Sequence, residues 1–482
     1  MVFAPAPSTV LLVLSALIII AGFVALAIVE QRIAPPRPRA APRAGALRSE
    51  PPGIVNMLTN DATLTAAGFR ATVIDLAARG WLRILPPDEE DELARVRPAA
   101  TAFQGDSLLP HERLVLQHVL ARYTSERPIP ARYLAVDIRG AWWHRFGRLV
   151  ADEAVRRGLL RRRWTWKDLA APAGLAVVGL LVWWWSAASG DDSVAVIDSI
   201  GRRVAGVAVL VAAIALAAKV VEHVRRPQLT HTDEGVVATE RWLAVRARLV
   251  EADMASIPPS SMETGDRRLA YATAMCVAEA ASVELPLARE DHYRAWSAMG
   301  GEARLVRIRY PHRLGYGMQP FSAVGIGLIL TFGGIWAGRF FADVAHGNAL
   351  ESIYERFPEQ TDLIADIATG LTALAWLPIL AGLLMAIGGA ADGFATVNRT
   401  GIVLRARRPV EVSPLPTALR RRLERDRYSL FIAVDDGTDD TIQAWRCSER
   451  TAVPQGARAT INATPFLGHV RSAAPVGHRL VD

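Results

Sequence analysis

Cysteine is scarce: Cys276 and Cys447 are the only two in 482 residues. Both fall in segments assigned below to a reducing compartment, so no structural disulfide is expected. No GxSxG, P-loop or strand-GxGxxG-helix signature occurs, which removes the nucleophile-elbow and phosphate-cradle readings. The ten histidines are scattered. His111 and His118 stand two helical turns apart, but no HExxH motif or cysteine pair accompanies them, so no metal site is expected. The acidic turn Asp435, Asp436, Asp439 and Asp440 lacks the alternating oxygens and terminal glutamate of a calcium loop and reads as a solvated hairpin turn. The expectation is a protein that is not an enzyme, with no catalytic residues, no cofactor and no metal.

What the chain does have is segregation. Hydrophobic residues make up 51% and charged residues 21%, and the two coexist because they occupy separate blocks. Residues 8–29 carry no charge and are long enough to cross a hydrocarbon core of about 30 Å. Further apolar blocks lie at 169–188, 204–221, 319–338 and 363–391, giving five spans, of which 204–221 is the shortest. No Lys or Arg precedes the first block, while Arg32, Arg37, Arg39, Arg43 and Arg48 follow it. That is the reverse of a secretory signal, so the block is expected to remain as an anchor.

The same asymmetry sets the topology, because short Lys- and Arg-rich loops stay in the cytoplasm. The N-terminus is expected outside and the C-terminus inside a bacterial inner membrane. Arg156, Arg157, Arg161, Arg162, Arg163 and Lys167 precede the second span, and this juxtamembrane cluster is expected to contact anionic lipid headgroups. The "NRT" at Asn398 and "NAT" at Asn462 then lie on the wrong face for glycosylation. Lys219, Asp366 and Asp392 sit near span ends, where each can snorkel or face water, so the spans read as anchors and not as a transport path. Gly334 with Gly338, and Gly389 with Gly393, make GxxxG spacings suited to helix packing or self-association.

Between the spans, residues 30–53 form a Pro-, Ala- and Arg-rich linker. Two units follow, 54–105 and 106–168, in which a helix ends at a glycine and a short strand begins: "LAARGWLRIL" and "EAVRRGLLRR". The pattern resembles the closing element of a winged helix. Residues 222–318 read as a helical hairpin region, and 400–482 as five short strands in a small OB- or SH3-like barrel, with a hairpin at "DDGTDD". The fold class expected is an α-helical polytopic membrane protein of about five spans, with winged-helix-like α+β cytoplasmic units and a small C-terminal β-barrel-like domain.

The ordered phrases "ATVIDLAARGWLRI", "LLPHERLVL", "EAVRRGLL", "LTHTDEG", "ERWLAVRARL" and "DRRLAYATAM" resemble the cytoplasmic and membrane portion of the YciQ-like predicted membrane proteins, a bacterial family of unknown function. The tail "YSLFIAVDDGTDDTIQAWR" resembles the β-rich ending of some actinobacterial members. The resemblance implies a signal peptide and an extracellular β-domain, neither of which is legible in this sequence, and it supplies no catalytic residues.

Could the winged units read DNA? From Gln31 to Asp168 there are 23 Lys and Arg against 15 Asp and Glu. Six of those cations adjoin a span, and the first supposed recognition helix offers only Arg70 and Arg79, with no Asn or Gln for adenine. Nucleic acid is therefore not the expected partner. The leading expectation is a scaffold or adaptor whose partners are the bilayer and a cytoplasmic protein, with an oligomer permitted by the GxxxG spacings. A membrane-tethered DNA-binding regulator is the alternative, and a small-solute transporter is the weaker one.

Overall fold

In the computed structural model the described residues are 7–32, 36, 38–41, 47–88, 92–99, 107–123, 127–188, 196–225, 229–301, 303–311, 314–345, 368, 370–372, 374–409 and 429–476. They form two compact units. One comprises Val24–Pro172 and Ala218–Asp291, the other Met1–Phe23, Ala173–Ala217 and His292–Asp482.

Among the described residues four helices are long and apolar enough to cross a membrane: α1 (Pro7–Arg32), α6 (Trp166–Ala188), α11 (Pro320–Ala345), and the stretch Gly370–Phe394, which contains α12 (Trp376–Phe394). The fifth expected span lies in α7 (Val196–Arg225), whose apolar stretch, Gly206–Val221, is shorter. Part of the block at 363–391, Asp366 included, lies outside the described residues.

The first unit is built from α2 (Pro52–Thr59), α3 (Ala66–Ala78), β1 (Leu82–Leu85), β2 (Arg95–Pro98), α4 (Pro110–Leu120), β3 (Ile129–Pro130), α5 (Ala141–Arg156), β4 (Leu160–Arg162), β5 (Leu229–His231), α8 (Asp233–Glu251), α9 (Arg268–Ala274) and α10 (Glu279–Glu284). Strands β1, β2 and β3 form one antiparallel sheet, and β4 pairs with β5. The sequence pattern suggested two separate winged units and a helical hairpin. Instead one hydrophobic core runs from Ile54 through Phe69, Val115 and Phe146 to Trp242, Tyr271 and Leu287. The reason is visible in α3, every residue of which is buried. A helix buried on all sides, polar Arg70 and Asp75 included, cannot be covered by one small module, and α9 and α10 supply the other walls.

Both glycine-terminated helices end in a Schellman motif. The Gly80 N–H donates to Ala77 O and the Trp81 N–H to Leu76 O; the Gly158 N–H donates to Val155 O and the Leu159 N–H to Ala154 O. Gly80 and Gly158 take φ of +75° and +73°, the left-handed conformation this cap requires. Helices α8 and α9 end the same way, with Asp253 (φ 50°) and Cys276 (φ 57°) at the left-handed position.

The second unit carries β6 (Arg294–Ser297), β7 (Arg304–Arg309), β8 (Val397–Arg407), β9 (Ser429–Asp435), β10 (Thr441–Gln443), β11 (Trp445–Ser448), β12 (Arg458–Ala463) and β13 (Val470–Pro475). One sheet has the order β10-β7-β6 and the other β11-β9-β8-β12-β13. Thus the region 222–318 is not a hairpin of helices: its last part supplies β6 and β7. Nor is "DDGTDD" a hairpin, because it carries the chain from β9 in one sheet to β10 in the other, where β10 runs parallel to β7. The five-stranded sheet is open rather than a closed barrel. Its edges approach at one point, where Arg446 bridges His469. Strand β9 is buried on both faces, Phe431 and Ala433 in one core and Ile432 and Val434 in the other. That is why "LFIAV" reads as a continuous apolar run and not as an alternation.

Candidate functional site

The densest polar constellation lies inside the first unit, where α3, α4 and α9 meet. Asp75, on α3 and 1% exposed, accepts from Arg267 Nε on one oxygen (2.6 Å) and from Arg79 Nη1 on the other (3.2 Å). Arg79 Nη1 also reaches Glu112 Oε1 at 2.9 Å, and the other Glu112 oxygen accepts the Leu109 N–H at 2.9 Å, capping α4. Burial pushes the Glu112 carboxyl above its usual range, against the pull of the Leu109 N–H and Arg79. Burial opposes the Arg267 charge, but Asp75 outweighs it and raises that group. The Arg267 guanidinium lies over the Tyr271 ring, which stacks on Trp242 at 4.7 Å. The Tyr271 hydroxyl donates to the carbonyls of Arg48 and Glu50, and burial pushes it up to about 12. Both carboxylates are committed to guanidiniums. The arrangement holds segments together.

Beside this network sits His111, fully buried, with neither ring nitrogen hydrogen-bonded. Burial lowers its pKa to about 4; Glu153 pulls the other way, and Arg157, Arg79 and Arg156 add to the lowering. His118 and His231 are likewise lowered by burial, although each ring Nε2 meets a carbonyl, Leu134 and Leu58 respectively. The histidine pair is thus separated in role: His111 is a core residue and His118 an interior hydrogen-bonding group.

A second constellation joins the phrases "EAVRRGLL" and "LTHTDEG". Leu160 pairs with His231 and Arg162 with Leu229. Thr232 caps α8: its Oγ1 accepts from the Gly235 N–H at 3.0 Å and donates to Gly158 O at 2.5 Å. A Cβ on Gly235 would stand 1.9 Å from Leu159 O, so only glycine fits there.

The basic cluster divides along this clasp. Arg156 and Arg157 both bind Glu153, the latter at 2.7 Å. Burial would raise the Glu153 pKa, but the two arginine hydrogen bonds prevail and lower it. Arg161, Arg162 and Lys167 are exposed, and Arg163 lies over the Trp164 ring. Trp166, 76% exposed, opens α6 beside them. The arginines that α3 would offer to DNA are turned inward: Arg70 is 3% exposed and donates to Leu285 O and Ser282 Oγ, and Arg79 serves the network above.

In the second unit, α11 and α12 pack through glycine. A Cβ on Gly334 would meet Ile379 Cγ1 at 2.6 Å, and one on Gly389 would meet Pro320 O at 2.7 Å. Gly327 and Gly382 face each other more closely, each Cβ falling within 2.6 Å of the other's carbonyl oxygen. Gly338 is in ordinary contact with Ala375, and Gly393 meets nothing. The seam therefore follows Gly327/Gly334 and Gly382/Gly389, a seven-residue spacing that a GxxxG search passes over.

Asp392 is the residue the sequence most undersells. It does not face water: it is fully buried at the end of α12, and its two oxygens accept the N–H groups of Phe466 (3.0 Å) and Leu467 (2.6 Å). The acidic turn is likewise not free: Asp435 and Asp440 pair with Arg304, and Asp436 and Asp439 with Arg399. Among the described residues no group of three His, Cys, Asp or Glu could hold a metal ion.

Residues 48–285 match the family model described as "Predicted membrane protein (DUF2207) C-terminal domain". The matched stretch takes in the shared core, the ion network and the β4–β5 clasp, together with α6 and α7. No curated protein and no solved structure matches the chain. The family match supports a DUF2207-type membrane protein, and with the four helices of spanning length it supports a multi-pass membrane location.

Proposed function

We propose that this chain is a non-enzymatic scaffold or adaptor of a bacterial inner membrane, YciQ-like in kind, that presents its folded units to a cytoplasmic protein partner. The observation that carries the reading is the β4–β5 clasp with its shared core. Chain from before α6 and chain from after α7 complete one domain, so the two helices leave and return to the same membrane face. Positive residues flank that face, which favours the cytoplasm. Such a domain is a rigid body tethered at several points, suited to holding a partner at the bilayer. The test is purification of the full chain in detergent with quantitative identification of what accompanies it. A reproducible protein partner is expected, and its absence across detergents and salt conditions sinks the reading. A periplasm-active reporter fused after Asp482 should be silent; activity there would overturn the topology.

The exposed cations of the clasp, Arg161, Arg162 and Lys167, with Arg163 beside them, are proposed to hold anionic headgroups, each worth about 1 kcal/mol near a charged surface. Arg156 and Arg157 contribute less, since Glu153 already takes their charge. In nanodiscs containing phosphatidylglycerol, the triple variant Arg161→Ala, Arg162→Ala, Lys167→Ala should lose the enrichment of that lipid around the protein. Unchanged enrichment would remove the lipid role.

A further inference from the structure

The turn Thr464–His469 is fastened to the end of a membrane helix. Asp392 takes its Phe466 and Leu467 N–H groups, and the Leu467 side chain lies 3.9 Å from where a Cβ on Gly388 of α12 would be. From the other side the loop before α11 closes on the same turn. The Gly317 N–H donates to Leu467 O at 2.6 Å, and the Tyr316 ring fills the space beside Gly468 so tightly that a Cβ there would stand 2.0 Å from it. Arg471 adds hydrogen bonds to the last carbonyls of α12, those of Asp392 and Gly393. The turn is therefore level with the start of α11 and the end of α12.

At that level the molecule is apolar and uncovered. Phe321 is 88% exposed, Phe394 97%, Leu314 64% and Phe466 56%. The two helices are bare elsewhere too, at Ile329, Phe332 and Trp336 of α11 and at Leu384 and Ile387 of α12. A surface that large and apolar belongs against a nonaqueous partner, and the one already required by α11 and α12 is the bilayer. Side chains at a span end sit at the boundary between acyl chains and headgroups, where a polar group such as Arg471 stays wet while the rings are buried.

We infer that the turn Thr464–His469 is an interfacial foot of the β-rich domain, with Phe466 seated in the acyl–headgroup boundary beside Phe321 and Phe394. The partner is lipid, and no residue of the β-domain other than this turn has to enter it. The inference rests on α11 and α12 spanning the bilayer.

Site-directed spin labelling of the full chain in phosphatidylcholine/phosphatidylglycerol vesicles tests it. Cys276→Gly removes the exposed thiol, and Cys447 is buried, so single labels follow at Phe466→Cys, Phe394→Cys, Ile329→Cys within α11, and Gln455→Cys in an exposed turn of the β-domain. Accessibility to oxygen relative to a water-soluble nickel chelate should be several-fold higher at 466 and 394 than at 455, and highest at 329. If 466 and 394 match 455 while 329 is shielded from the chelate, the foot is wrong and the spans stand. If 329 itself is chelate-accessible, both fall. Spin–spin broadening at 466 that vanishes on dilution with unlabelled protein would mean that a second copy covers the surface, and it also overturns the proposal.

Discussion

His111 shows what one side chain can cost. An imidazole with no partner on either nitrogen carries a penalty of about 1–3 kcal/mol for each unsatisfied group, and its pKa in the folded state, about 4, lies below the 6.5 of the free group. The unfolded chain therefore takes up a proton first. The proton-linked loss of stability, which adds to that cost, is absent above pH 6.5, grows as the pH falls towards 4, and is constant below that, reaching on the order of 3 kcal/mol. In His111→Leu the two orphaned nitrogens vanish. Melting curves of the full chain in detergent should show the variant gaining on the parent as pH drops from 7.5 to 4.5, and parallel curves would refute the assignment. Cys276 is a second residue at odds with its backbone. It holds φ 57°, where an L side chain costs roughly 1–2 kcal/mol. Set against the extra freedom of glycine when unfolded, Cys276→Gly should stabilise by about 0.5–1 kcal/mol, read as a higher melting temperature.

At the level of elements, the decisive packing is between α11 and α12. Any side chain at Gly327 or Gly382 must push two backbones apart, since the other's carbonyl oxygen already lies within 2.6 Å of the Cβ position. Gly327→Leu should lower the detergent melting temperature clearly, by an amount on the order of 2–4 kcal/mol for a forced overpacking and lost helix contact. Gly393→Leu, in open space, should leave it unchanged. Equal effects at the two sites would mean that the glycines do not set the helix approach. Elements also show which signals the sequence carries. The Schellman caps at Gly80 and Gly158 were legible because the cap is a local affair, decided within six residues. The β-rich tail was legible from β-branched runs between Gly, Pro and Asp, but the five strands expected are six, β8 to β13, because Thr441–Ser448 divides between two sheets. The two winged modules were not a sound extrapolation, because the repeat repeats only a cap. What surrounds each copy is decided by α8, α9 and α10, far away in the chain.

For the molecule as a whole, Asp392 is the clearest case of what sequence order hides. Its hydrogen-bond donors lie 74 and 75 positions further on, and no periodicity within α12 announces them. β6 and β7 were missed for the same reason: they join β10 across the α11–α12 pair. Asp392→Asn keeps the shape but replaces one accepting oxygen with a donor facing an N–H. The domain should loosen from its helices by about 1–3 kcal/mol, seen as roughly tenfold or faster hydrogen exchange at the Phe466 and Leu467 amides. Unaltered exchange would show that the carboxylate is a bystander.

The pairing of β4 with β5 has a consequence for how the chain is made. The core that holds α3 and α5 includes Trp242, Tyr271 and Leu285, all of which leave the ribosome only after α6 and α7 have been made. At about 5–20 residues per second, the first half of that domain spends seconds with α3, which the finished core covers on every side, and part of an ion network exposed. On the proposed topology, insertion of the helix pair is thus a step in the folding of the domain that β4 and β5 close, and a chain stalled at the translocon after α6 presents chaperones with an unfinished core.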